Sequence, residues 1–117
     1  MAHSKAELFA DPEDINHIVS GYSKALDYPA RVLIMRWLAA EGPKNAGEIT
    51  NYVGLSKSTT SQHLFRLERA GIITGMEQGN NIIYAFNAAN FIIMRGYMDD
   101  LFHELDAAIK VRGSRGT

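Results

Sequence analysis

The chain has 117 residues, which points to one domain, long enough to bury a core without a disulfide or a metal. Its 46% hydrophobic and 21% charged residues are ordinary for a globular protein, and its formal net charge is −1, mildly against a nucleic-acid binder unless charge is local. No run of about 18 apolar residues offers a membrane span, and the absence of cysteine excludes disulfides, thiolate metal sites and thiol redox sensing.

Residues 1–10 read as a flexible tail, ahead of a domain over 11–110. They lack a basic segment followed by an apolar stretch, so no secretory signal is read and a cytoplasmic location is expected. Asp11-Pro12-Glu13-Asp14 reads as a helix start, with Asp11 as cap, Pro12 first and Asp14 third. Ile15, Ile18, Tyr22 and Leu26 follow at helical spacing, and the helix ends near Asp27. Pro29 opens a second helix with a buried stripe of Leu33, Ile34, Trp37 and Leu38, stopped by Gly42-Pro43.

Asn45-Ala46-Gly47-Glu48 is a capping box, and Ile49, Tyr52 and Val53 give the short third helix its apolar face. Gly54 ends it, Leu55 and Ser56 make the turn, and Ser56 caps a fourth helix running to about Ala70, closed by Gly71. Thr60, Leu64 and Leu67 point inward; Lys57, Ser58, Ser61, Gln62 and Arg66 point outward. Ile72–Glu77 and Ile82–Phe86 read as strands joined by a tight turn at Gln78-Gly79-Asn80-Asn81. A last helix spans about Ala88–Lys110. Its Phe91, Met94, Met98, Leu101, Leu105 and Ala108 fall at spacings of 3, 4, 3, 4 and 3, the seam of a helix that packs lengthwise on another. Val111–Thr117 reads as a flexible tail.

The order is four helices, a hairpin and a helix: mainly α with a β-hairpin wing, an α+β winged helix-turn-helix. Two short helices across a tight turn, with a hairpin next, suit insertion into a DNA major groove. The outward face must then carry small polar and long hydrogen-bonding groups. Ser58, Thr59, Ser61, Gln62 and His63 supply them, and Gln can pair bidentately with adenine. Lys57 and Arg66 suit phosphates, and Asn80 and Asn81 suit backbone contacts from the wing. His63 also reads as a core histidine at the helix–helix contact or as a phosphate donor. Tyr84 reads as packed, with its hydroxyl free for a phosphate.

Residues 26–86 resemble the ArsR family of winged-helix repressors. Leu26-Asp27-Tyr28-Pro29-Ala30-Arg31 is similar to the opening before that family's second helix. Leu55 to Leu64, which reads Leu-Ser-Lys-Ser-Thr-Thr-Ser-Gln-His-Leu, is similar to its recognition helix, and Leu67-Glu68-Arg69-Ala70-Gly71-Ile72 to its exit into the wing. The resemblance implies repression from a palindromic operator, released by a metal or another signal. It also implies a homodimer through the first and last helices, placing Ile15, Ile18, Tyr22, Phe91, Met94, Met98, Leu101 and Leu105 at the interface. The two recognition helices would then enter successive major grooves about 34–36 Å apart.

Three departures stand out. The third helix has Glu48-Ile49-Thr50-Asn51-Tyr52 where metal-sensing members place thiolates. Where zinc-sensing members carry ligands on the last helix, this chain has Ala88, Asn90, Leu101 and Glu104, of which only Glu104 could ligate. The wing turn has no arginine. His17, His103 and Asp99 or Asp106 could form a different metal site, but interface residues are the simpler reading. Hence no cofactor is expected, and an unidentified small-molecule inducer is left open, including an apolar one between the first and last helices. No phosphate loop, paired carboxylates or ordered nucleophile suggests an enzyme. The partners expected are double-stranded DNA and a second copy, with no membrane. The near-neutral charge and arginine-free wing motivate one alternative, a dimeric interaction module that has lost DNA binding.

Overall fold

The structure, a computed structural model, describes residues 14–114. Helix α1 (Ile15–Ala25) starts at Asp14, whose carboxylate accepts the Asn16 amide at 2.8 Å. Asp14 is therefore the cap rather than the third helical residue: its side chain reaches the amide two residues on, as a cap does. The expected roles of Asp11 and Pro12, and the tail over 1–10, lie outside the described residues. Helix α2 (Pro29–Glu41) begins on Pro29 and ends at Gly42, as predicted.

A two-residue strand, β1 (Lys44–Asn45), leads into α3 (Ala46–Val53). The capping box is closed in both directions. Asn45 Oδ1 accepts the Glu48 amide at 2.8 Å, and Glu48 Oε1 accepts the Asn45 amide at 3.0 Å. Gly54 takes the left-handed backbone (φ 69°) that the turn needs. Helix α4 (Lys57–Arg69) follows, then β2 (Ile73–Gln78), β3 (Asn81–Phe86) and α5 (Ala88–Ser114). The three strands form an antiparallel sheet in the order β1-β3-β2. Gln78 pairs with Asn81, so the hairpin loop is only Gly79-Asn80 and Asn81 already belongs to a strand.

Ile34 and Leu38 of α2, Ile49 of α3, Leu64 and Leu67 of α4, and Ile72 and Ile73 beside them are each no more than 1% exposed. Burying side chains of this kind contributes about 1.5–3 kcal/mol each, so this set ties the helix pair to the sheet. The stripe of α2 is rotated from the predicted one. Leu33 is exposed, Trp37 is half-buried, and Arg31 is inside with Ile34 and Leu38. The reason is that α4 offers Arg31 a polar partner, described below, while Trp37 finds its own at the surface. Its ring stacks on exposed Tyr52 at 4.0 Å with the planes 4° apart.

Helix α5 packs against α1 and sends Met94 to the core. Its helical hydrogen bonding continues past the predicted end at Lys110 through Ser114, and residues 115–117 of the expected tail lie outside the described residues. Extending an existing helix adds one bond per residue fixed, so Val111 and Arg112 continue it where composition alone suggested a break. At 27 residues it is about 40 Å long, in a molecule with extents of 60 × 29 × 24 Å.

Candidate nucleic-acid interface

The helix-turn-helix is built by α3 and α4. Ser56 fixes the start of α4: its Oγ accepts the Thr59 amide at 3.1 Å, and its carbonyl accepts the Thr60 hydroxyl at 2.9 Å. Thr60, Leu64 and Leu67 dock inward, as predicted. The opposite side exposes Lys57, Ser58, Ser61, Gln62 and Arg66 to solvent. Thr59 is half-buried, and Ser56 Oγ donates to its hydroxyl at 2.9 Å, so it serves the cap.

His63 does not lie on the outward face. It is 8% exposed, and its Nδ1 accepts from Arg31 Nε at 3.0 Å. Arg31, 9% exposed, also donates to the Ala25 carbonyl at 3.4 Å and stacks under the Tyr28 ring at 4.5 Å. Tyr28 in turn tilts against His63 with ring centroids 5.5 Å apart. Burial, and secondarily the Arg31 charge, hold His63 below its ordinary pKa, so it is neutral and can accept this bond.

Phe65, missed in the sequence, is an exposed aromatic on the outward side, with the guanidinium groups of Arg66 and Arg69 about 6 Å from its ring centre. It lies one turn beyond Ser61 and Gln62, and helical spacing could have placed it there. Asn80 sits in the wing loop and Asn81 at the strand end, both exposed. Glu68 ties the wing to α4, its Oε2 accepting the Gly75 amide at 3.1 Å. Tyr84 is 9% exposed, and burial and Glu68 push its pKa up, so the hydroxyl stays protonated.

The residues expected at the dimer interface divide. Tyr22 is inside the protomer, its hydroxyl 3.9 Å from Met35 Sδ; the α1 stripe turns it into the core with Ala25, which withdraws it from a mating surface. Ile15, Ile18, Met94, Met98 and Leu101 are half-buried, whereas Phe91 and Leu105 are exposed. Phe102 and Ile109 extend that exposed stripe along α5.

The family model for bacterial regulatory proteins of the arsR family matches residues 28–74. Over 72 residues the chain is 40% identical to the HTH-type transcriptional regulator YgaV of Escherichia coli, covering 60% of this chain and 73% of that protein. The chain belongs to the ArsR family. It is a winged helix-turn-helix protein that binds DNA to regulate transcription, and its family is one of regulators rather than enzymes. The crystal structure of Mycobacterium tuberculosis Rv0081 matches this ArsR-family fold with a TM-score of 0.59 at 28% identity, over 90% of this chain and 99% of that one. The solution structure of Mycobacterium bovis Mb0332, described as a homodimeric winged helix-turn-helix DNA-binding domain, matches with a TM-score of 0.63 at 21% identity, over 89% and 92%.

In this ArsR-family chain, Asn90 works as a clamp. Its Nδ2 donates to the Gly71 carbonyl at 2.8 Å, and its own amide donates to Asn87 Oδ1 at 3.0 Å. Asp99 faces Arg95 at 3.7 Å. Among the described residues no three His, Asp or Glu side chains gather in a way that could hold a metal ion, so His17, Asp99 and His103 do not form a cluster. No described helix is long and apolar enough to cross a membrane.

Proposed function

We propose that the chain represses transcription as a homodimer, reading a palindromic operator with one α4 in each of two successive major grooves. The observation that carries this is the face of α4. Ser58, Ser61 and Gln62 stand exposed together, on a helix capped at Ser56 and docked through Thr60, Leu64 and Leu67. A rigid helix presenting hydroxyls and one carboxamide, flanked by Lys57 and Arg66, has the donors and acceptors for base edges and the charges for phosphates. Asn80 and Asn81 supply wing contacts to the backbone. The exposed apolar stripe of α5 and the homodimeric Mb0332 neighbour support self-association.

The test is selection of the purified protein on random duplexes at two salt concentrations. Recovery of a palindrome, with affinity falling steeply as salt rises, is the expected outcome. Failure to enrich any sequence at either salt rejects operator reading. Gln62→Ala should then lose about 1–3 kcal/mol of discrimination at one base pair per half-site while other positions keep theirs. An unchanged preference across a panel of single-base variants would remove Gln62 from base reading.

A further inference from the structure

A cleft of about 440 Å³ opens between the α1–α2 corner and the C-terminal half of α4. Lys24, Arg31, Arg66 and Arg69 line it, with Asp27 the one carboxylate among its lining residues and Tyr28 on its wall. A second depression continues from it through Tyr28, Arg31 and Arg66 to Ser61 and Gln62. The basic cleft is thus continuous with the outward face of α4 but displaced from it toward α1. Among the described residues none of Lys24, Arg66 and Arg69 pairs with a carboxylate. Arg31 is held in place by His63, the Ala25 carbonyl and the Tyr28 ring. Two of its five N–H donors are used in those bonds, and the others belong to a guanidinium that lines the cleft. Four cations facing one carboxylate repel one another unless an anion joins them.

We propose that this cleft is a phosphate site. A phosphate oxyanion suits a planar guanidinium held in place together with exposed cations in the same lining. The position favours a backbone phosphate of the bound duplex, beside the groove that α4 enters, and that source rests on the operator reading above. A free phosphorylated small molecule offers the same chemistry.

The test uses the full chain with Lys24→Gln, Arg69→Gln and their combination, checked for folding by circular dichroism, and Arg69→Lys as the charge-keeping control. Affinity is measured against salt on the selected duplex and on a scrambled one. In parallel, inorganic phosphate is titrated without DNA while the Nε resonances of Arg31 and Arg69 are followed. The expected result is an equal loss on both duplexes for the double variant, about ten-fold, with the salt slope falling by about 0.9 for each phosphate contact removed and Arg69→Lys keeping the slope. Unchanged DNA binding, together with phosphate-induced shifts that the double variant abolishes, would assign the site to a free phosphate. If neither the DNA-binding loss nor the phosphate-induced shifts are seen, the proposal is overturned, while a specificity change in Gln62→Ala would leave operator reading intact. A wild-type chain that binds no duplex would reject operator reading alone, and the phosphate titration would then decide the cleft.

Discussion

His63 shows how one side chain can join α4 to the rest of the protein. Its backbone belongs to α4, but its ring points inward to accept from Arg31. Protonation would turn Nδ1 from acceptor to donor and set two cations against each other. Because the folded pKa is depressed, the unfolded chain takes up the proton first. Stability is therefore full above the ordinary value of about 6.5 and declines as pH falls from there toward the folded pKa. Stability to urea, measured from pH 8 to 5, should fall over that range, and DNA affinity should fall with it as α4 loses its anchor. His63→Gln offers a carbonyl oxygen to Arg31 without a titrating proton, so it should flatten this component. A variant with the same pH profile as the wild type would assign the loss to other groups. Neither the bond nor the burial of Arg31 was legible in the sequence. Position 63 borders both the inward and outward faces of α4, and an arginine within an apolar stripe ordinarily reads as a solvated charge. Their partnership spans 32 residues of chain, beyond the reach of any local pattern.

At the level of elements, the ends were more legible than the middles. Pro29, Asn45 with Glu48, Gly54 and Ser56 each mark a boundary through chemistry contained within a few residues, and the structure puts boundaries at all of them. Strand β1 has two residues and no period to detect; it exists because β3 lies alongside to pair with it. The stripe of α2 was misplaced because periodicity reports hydrophobicity, whereas the burial of Arg31 depends on a neighbouring helix. The joint between α4 and α5 also comes from tertiary contact. Gly71 has φ 77°, and a Cβ there would lie 2.5 Å from Asn90 Nδ2, the atom that bonds the Gly71 carbonyl. Gly71→Ala must therefore tolerate a left-handed backbone and also push Asn90 away. The first of these alone costs about 1–3 kcal/mol. Thermal unfolding should show a loss of that size or more, with α5 loosened at its start. An unchanged midpoint would mean that the turn relaxes freely and that Asn90 clamps nothing.

For the whole molecule, the governing fact is the length of α5, 27 residues, whose later turns stay largely exposed. Near its start Met94 reaches the core, but Phe102, Leu105 and Ile109 farther along are each about half exposed or more. Their spacings of 3 and 4 put them on one side of the helix, as a continuation of Phe91, Met94 and Met98. Apolar area of this kind, left in water, is stabilised by a partner surface of the same sort, which a second copy would provide in the proposed homodimer. Leu105→Glu tests this without threatening the protomer. Leu105 is 49% exposed, so a carboxylate there remains hydrated in a single chain but is forced into an apolar seam in a dimer. Sedimentation velocity at micromolar concentration should show the wild type as a dimer and Leu105→Glu as a folded monomer with an unchanged circular dichroism spectrum. Operator affinity should fall much further than a surface change would explain. Two half-sites joined in one dimer bind with an effective local concentration that separate protomers lack, and that gain reaches 10²–10⁴ in linked systems. If Leu105→Glu remains dimeric, the α5 stripe is not the mating surface, and the spacing of the two α4 helices must be set by another contact. If it becomes monomeric yet keeps full operator affinity, each α4 binds independently and the palindrome is unnecessary.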